Sequence, residues 1–261
     1  WPPPPPPLPF GSTPKVCATT GNLVNFAQSP SGGGTEVRFF EFKGWKPKYT
    51  LPRDIKVPGY TYLSDMAVTP RWFVLGAPAV TADALGASLG KTMPEVLKAD
   101  PGGVSQLIFA SRDKKENKEV AVDIDGVSCE EFANAFELDG GKVVILDVVA
   151  ADKFYVGLGE GDKPHWETED PSQRPRRRLV RYEVDLSTKT FTRRELCGRH
   201  MGFTSVNPSV SGKRHRFVFG AIAHGESGAG PMAGVAKVDT ESGEVDSWVP
   251  GPAEFGGEPL F

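Results

Sequence analysis

Four histidines occur in the chain, His165, His200, His215 and His224, and none precedes residue 165. Neutral imidazole is the usual ligand for redox-active first-row metals, so a multi-histidine centre would have to be assembled around that gap. His165 lies in a charged loop, His215 in a strand within Lys213-Arg-His-Arg216, and His200 and His224 in glycine-containing loops, so each reads as a surface or hydrogen-bonded histidine. The three cysteines, Cys17, Cys129 and Cys197, stand far apart without a Cys-x-x-Cys pair. That spacing supports neither a disulfide framework nor a thiolate zinc site, and it fits a reducing compartment. Gly32-Gly-Gly34 and Gly225-Glu-Ser-Gly228 lack the strand-to-helix context and the Gly-Lys-Ser ending of a phosphate loop and read as turns. Gly-x-Ser-x-Gly does not occur, which removes a serine-hydrolase elbow.

These residues sit in a chain of 261 amino acids, long enough for one large domain or two small ones. Lys and Arg number 30 against 33 Asp and Glu, a net charge of −3, which disfavours a nucleic-acid binder. The basic cluster Arg174-Pro-Arg-Arg-Arg178 follows Glu167, Glu169 and Asp170 and reads as a solvated loop leading into a strand. No stretch approaches the roughly 18 apolar residues that span a bilayer, and the start shows no basic segment followed by an apolar one.

Residues 1–14 include six consecutive prolines, Pro2 to Pro7, which cannot donate to a β-ladder and form a polyproline II arm. From residue 15 to 261, short β-branched and aromatic runs recur between Gly, Pro, Asn and Asp clusters, the pattern of an all-β chain. Strands are predicted over 22–27, 36–42, 61–69, 72–75, 106–110, 119–122, 142–149, 179–186, 191–195, 214–221, 233–239 and 244–249. Two capping boxes interrupt them. Thr92-Met-Pro-Glu95 predicts a helix of about two turns, and Ser128-Cys-Glu-Glu131 a single turn. Asp113 to Glu119 is a charged hairpin tip. The tight turns at Asp139-Gly-Gly141 and Glu241-Ser-Gly243 point to repeated antiparallel sheets of the sandwich or propeller type, three or four sheets of four.

Several ordered segments resemble the carotenoid cleavage oxygenases, the iron-dependent family that includes plant epoxycarotenoid dioxygenases and the retinoid isomerase of the visual cycle. Tyr62-Leu-Ser-Asp-Met-Ala-Val-Thr69 with Arg71-Trp-Phe-Val-Leu75 is similar to the family's His-Asp-Phe-x-x-Thr-x-x-Tyr stretch. Phe132-Ala-Asn-Ala-Phe-Glu137 resembles its His-x-x-Asn-x-x-Glu segment. Arg178 to Leu186 resembles its arginine-rich strand, and Val206-Asn-Pro208 with His215 to Ala221 its Ile-Asn-Pro and Arg-Tyr-x-Tyr-Gly pattern. Lys237-Val-Asp, Gly243, Trp248 and Gly257-Glu-Pro-Leu-Phe261 close the series. The resemblance covers about residues 20–261 and the middle of the family fold, between the segments that carry the first and last iron-binding histidines.

The resemblance implies a partial, open β-propeller with short helical or loop dome insertions, taken from a seven-bladed fold with iron on its axis. It also implies four histidine ligands, most of them oriented by glutamates. Carried over residue by residue, the second ligand position holds Ser64 and the third Glu131. A glutamate position holds Gly202, and Glu258 alone matches. The expected protein is therefore a catalytically degenerate relative without catalytic or intact metal-binding residues. It would need no cofactor, would bind a carotenoid or apocarotenoid, or would serve as a structural subunit whose partner proteins cover exposed propeller edges. Peripheral association with a pigment-rich membrane and a plastid setting, thylakoid-associated or stromal, follow from the same resemblance. The alternative is an active Fe(II) dioxygenase that splits a polyene double bond with O2, in which Glu131 is a carboxylate ligand beside histidines from elsewhere.

Overall fold

The computed structural model describes residues 11–31, 33–45, 49–125, 127–155, 175–225 and 231–260. The first antiparallel sheet, blade 1, contains Lys15–Val16 (β1), Leu23–Ser31 (β2), Gly34–Phe42 (β3) and Tyr49–Pro58 (β4). Blade 2 starts with Met66–Val68 (β5) and Trp72–Ala77 (β6). It then detours through Val80–Ala82 (β7), helices Ala84–Ser88 (α1) and Met93–Val96 (α2), and Leu97–Ala99 (β8), which pairs with β7. Ser105–Ser111 (β9) and Glu119–Ile124 (β10) complete it. Blade 3 is Ser128–Leu138 (β11), Val143–Ala151 (β12), Arg177–Asp185 (β13) and Thr190–Cys197 (β14). Blade 4 is Met201–Ser205 (β15), Phe217–Ala223 (β16), Met232–Asp239 (β17) and Val245–Trp248 (β18).

The core lies between blades, which makes this a propeller. Along β6, Trp72 and Val74 pack toward blade 3 while Phe73, Leu75 and Ala77 pack toward blade 1. Successive side chains of a strand point to opposite faces, so a strand buried on both sides reads as an unbroken apolar run. Val149 and Leu179 join Met201, Val218 and Ile222 in the seam between blades 3 and 4. The first strand of each blade, β1, β5, β11 and β15, touches that of the next, and these strands line the axis. The all-β, partial-propeller expectation is met with four blades.

Differences from the sequence reading have local causes. The single helical turn expected at Ser128 is absent, because Ser128 to Leu138 pairs with β12 as a strand. The box at Thr92 does form, with the Thr92 amide and hydroxyl each 2.6 Å from Glu95 Oε2, but its helix is one turn long. Of the strand expected over 61–69, only β5 forms. The preceding loop bonds to side chains instead, with Gln28 bridging both the Leu63 carbonyl (2.8 Å) and the Leu63 amide (3.0 Å). Of the basic cluster, Arg174 lies outside the described residues, Arg176 precedes the strand as read, and Arg177 and Arg178 already belong to β13, where Arg178 pairs with Asp152 and Glu195. The hairpin tip at Asp113 is a turn as read. The proline run lies outside the described residues, whereas Gly11 donates to the Phe26 carbonyl (2.8 Å) and thereby ties residues ahead of β1 to β2.

One buried polar bolt joins blade 3 to the loop ahead of β16. Asp147, fully buried on β12, receives Arg181 through two 2.7 Å bonds and His215 Nε2 at 2.7 Å. Asn134 Oδ1 accepts from the Gly212 amide (2.9 Å) while its Nδ2 donates to the Val210 and Lys213 carbonyls, so its NH2 faces His215 Nδ1 at 2.9 Å. His215 Nδ1 must then accept, which places the ring proton on Nε2, toward Asp147. Burial opposes the Asp147 carboxylate, but the hydrogen bonds of Arg181 and His215 and the charge of Arg181 outweigh it and hold the carboxyl below its ordinary range. A depressed carboxyl stabilises the fold above its unfolded value, and that contribution vanishes as pH falls through the folded value. Urea unfolding between pH 7 and pH 3 should show stability falling below about pH 4. Asp147→Asn should lose about 3 kcal/mol at pH 7 and show a shallower acid slope.

Candidate functional site

The axial face is organised by irregularities in β11. Its register with β12 slips between Cys129 and Glu131 and again between Phe132 and Asn134, so backbone groups there lose ladder partners. Residues from three other segments supply them. Ser64 donates its hydroxyl to the Glu130 carbonyl at 2.6 Å. Asp65, 2% exposed, accepts from the Phe132 amide (2.7 Å), Lys15 Nζ (2.9 Å), Thr13 Oγ1 (2.5 Å) and its neighbouring Met66 amide (2.7 Å). Lys15 also donates to the Phe132 carbonyl at 2.9 Å. Farther along, Glu137 Oε1 accepts from Thr69 Oγ1 (2.5 Å) and the Arg71 amide (2.7 Å). The Asp65–Thr69 motif thus fastens blade 2 to blade 3 through Phe132 and Glu137, whereas Asn134 fastens blade 3 to the loop ahead of β16.

At the positions that the resemblance assigns to metal binding, the chemistry differs. Glu131 Oε2 accepts from the Phe203 amide (2.9 Å), and Glu131 Oε1 accepts from the Thr204 hydroxyl (2.6 Å) and the Thr204 amide. A β-carbon built on Gly202 would lie 3.7 Å from Glu131 Oε2 and 3.8 Å from the guanidinium carbon of Arg177. Arg177 Nη1 stands 3.5 Å from Glu130 Oε2. Burial pushes the Glu130 carboxyl up to about 7 against the pull of Arg177. Glu258 is exposed, on a segment whose Pro259 carbonyl accepts from Ser205 at 3.1 Å.

An Fe(II) centre does not fit this set. The Ser64 hydroxyl and both Glu131 oxygens are occupied, a guanidinium stands among them, and no imidazole is present at either ligand position. Among the described residues no group of three or more His, Cys, Asp or Glu side chains is arranged to hold a metal. The other described histidines are accounted for as hydrogen-bonded residues: His200 Nδ1 accepts from the Arg177 amide (3.1 Å), His215 is in the bolt above, and half-buried His224 lies 3.2 Å from the Gly251 carbonyl. His165 lies outside the described residues. Sequence reasoning missed Phe203 and Thr204, because what brings them to Glu131 is a contact between two blades, and Arg177, because β13 reaches Glu130 only through the pairing of strands within blade 3.

A cavity of about 570 Å3 opens beside the axis, between β2, the loop from Tyr60 to Ser64, and the β7–β8 ribbon with its helices. Phe26, Pro30, Leu63, Val96 and Leu97 give it an apolar wall, and Ser64 stands at its axial side. Three of its polar side chains are engaged within the wall: Gln28 with Leu63, Thr35 Oγ1 with the Thr61 amide (3.0 Å), and Asp83 with the Gly86 amide (2.8 Å). Such a space suits an elongated hydrocarbon better than a polar solute.

Comparison with known proteins agrees with this architecture. A family model described as retinal pigment epithelial membrane protein matches residues 7–261. The apocarotenoid-15,15'-oxygenase of Synechocystis is 30% identical over 207 residues, 78% of this chain and 40% of that protein. A chloroplastic 9-cis-epoxycarotenoid dioxygenase of Oryza sativa is 26% identical over 254 residues, 95% of this chain and 37% of its own length. The crystal structure of cobalt-substituted Synechocystis apocarotenoid oxygenase superposes with a TM-score of 0.86 at 24% identity, covering 97% of this chain and 53% of that one. The chain therefore spans about two fifths of the curated relatives and about half of the solved chain. With the family model matched over nearly its whole length and the blades superposed, the chain belongs to the retinal pigment epithelial membrane protein family of carotenoid oxygenases.

Proposed function

We propose that this protein is a non-catalytic member of the family that binds a carotenoid or apocarotenoid in the cavity beside Ser64, as a subunit of a larger assembly at a pigment-bearing membrane, in a plastid. One contrast carries the reading. Within the two motifs, the residues that fasten backbone to backbone, Asp65, Thr69, Asn134 and Glu137, keep the family's types and are bonded. The two at ligand positions, Ser64 and Glu131, have changed type and have been taken into the protein's own hydrogen bonding. The scaffold of the site persists without its metal-binding groups. The apolar cavity and the relatives' names, an apocarotenoid oxygenase and epoxycarotenoid dioxygenases, support a polyene as ligand. The chloroplastic description of the plant relatives supports the plastid setting.

Binding in this reading is an apolar transfer. A polyene leaves a membrane or a carrier protein and buries its chain against Phe26, Leu63 and Leu97, gaining about 25 cal/mol per Å2 of surface removed from water. Gln28, Thr35 and Asp83 are already paired within the wall, so they add little desolvation cost to entry.

The test is iron content and visible absorption of the full-length protein purified from its native source. The expected result is iron far below one per chain together with a retained polyene band or a fixed set of co-purifying subunits. Near-stoichiometric iron with cleavage of added polyene to two carbonyl products would overturn the reading. A second check places bulk in the cavity from a half-buried lining residue. Ala82→Trp should weaken uptake of an apocarotenoid, followed by tryptophan quenching, at least tenfold while leaving the melting temperature within about 2 °C.

A further inference from the structure

We infer that Glu131, Gly202 and Arg177 form a latch that ties blade 3 to blade 4 and closes the axis to divalent cations. The inference deepens the non-catalytic reading by assigning the altered residues a joint task.

The first observation is an irregularity on each side of the seam. β15 loses register with β16 between Gly202 and Ser205, and Phe203 sits there at φ 50°, a left-handed conformation that a bulky side chain avoids. The amides of Phe203 and Thr204 consequently leave the ladder together and converge on one point. Successive amides in such a turn form a cradle for an anion. Glu131, from the slipped part of β11, supplies the anion, with one oxygen on the Phe203 amide and the other on the amide and hydroxyl of Thr204. An unpaired buried amide costs about 1–3 kcal/mol, so the carboxylate offsets the irregular backbone that it meets.

The second observation is why residue 202 is glycine. A β-carbon there would already lie 3.3 Å from Met232 Cε and 3.7 Å from Glu131 Oε2. A glutamate at 202, the residue expected from the resemblance, would set a second carboxylate against the first. The two residues are therefore linked: the carboxylate that crosses the seam from blade 3 leaves no room for a second one on blade 4.

The third is charge. Glu130 and Glu131 bring two adjacent carboxyl groups to this seam, and the guanidinium of Arg177 pairs with the first, 3.5 Å from Glu130 Oε2, while standing 3.8 Å from the point where a Gly202 β-carbon would be. A divalent cation entering here would have to strip Glu131 of three donors while facing a fixed positive charge at close range.

The test uses the full-length protein and Co(II) as the probe. The wild type should show no cobalt d–d absorption and no shift in melting temperature with excess Co(II). Glu131→Gln keeps the shape but turns an NH2 group toward one of the two amides, and should lower the melting temperature by roughly 3–8 °C. Thr204→Val, which removes only the hydroxyl bond, should lower it by about 2 °C and keeps the test open if the glutamine variant does not fold. Arg177→Met should raise Co(II) affinity at least tenfold, an effect that loss of packing alone would not produce. An unshifted Glu131→Gln melting temperature would overturn the latch while leaving polyene binding intact. Wild-type Co(II) absorption that disappears in Glu131→Gln would overturn the closure and make Glu131 a ligand. No gain of cobalt binding in Arg177→Met would remove Arg177 from the device.

Discussion

The structure depends on an imperfect strand. β11 passes through the centre of the four blades, yet its register with β12 slips twice within six residues, Cys129 to Asn134. Each slip frees backbone groups in a place where little water can pair them, and an unpaired buried polar group is among the more costly features a fold can contain. Neighbouring blades meet that demand from every side. Ser64 takes the Glu130 carbonyl, Asp65 and Lys15 take the amide and carbonyl of Phe132, and Asn134 sends its side chain into the loop before β16. Propeller blades otherwise meet through apolar faces, which fix distance but not register. The polar contacts of β11 are directional and so set how the blades are aligned.

This explains why one segment can change its chemistry without losing its architecture. Asp65, Thr69, Asn134 and Glu137 act on backbone, so their geometry survives whatever occupies the axis. Positions 64 and 131 sit one residue before Asp65 and three before Asn134, presented to the axis by the same irregular backbone. A ligand position of this kind is free to change provided the new side chain satisfies the groups around it. Ser64 does so by donating to a carbonyl and Glu131 by accepting from amides. Glutamate at the carbonyl end would set a carboxylate oxygen against a carbonyl oxygen, and serine at the amide end would offer one oxygen on a short stem where Glu131 offers two.

The legible part of the sequence was the part governed by local pattern. Central strands such as β6 and β12 are continuous apolar runs because both faces are buried, and the motif segments stand in order. β4 was also there to be read, since Arg53, Ile55 and Val57 are buried while Asp54 and Lys56 are exposed, a period of two hidden by its charged and proline residues. The box at Ser128 was misleading for a physical reason. A glutamate three residues after a serine can fold back onto its own turn, but Glu131 finds two amides and a hydroxyl on another blade, and pairing with β12 holds the chain extended. Arg177 read as part of a charged loop because nothing local reveals that β13 begins beside the axis. Short strands such as β15, with a glycine at the second position, carry too little periodicity to be recognised.

Glycine at 202 and glutamate at 131 each look, taken singly, like the loss of a functional group. Taken together they leave one carboxylate at the seam between blades 3 and 4, supplied by Glu131. That carboxylate answers a demand set by the left-handed Phe203, which turns two amides out of the ladder and fixes a site that only an acceptor can fill. An imidazole could accept at one such amide through a single nitrogen, whereas a carboxylate accepts at both, one of its oxygens taking the Thr204 hydroxyl as well. The bond set therefore favours glutamate at 131 on its own terms, and the guanidinium of Arg177 stands by the neighbouring Glu130 carboxyl.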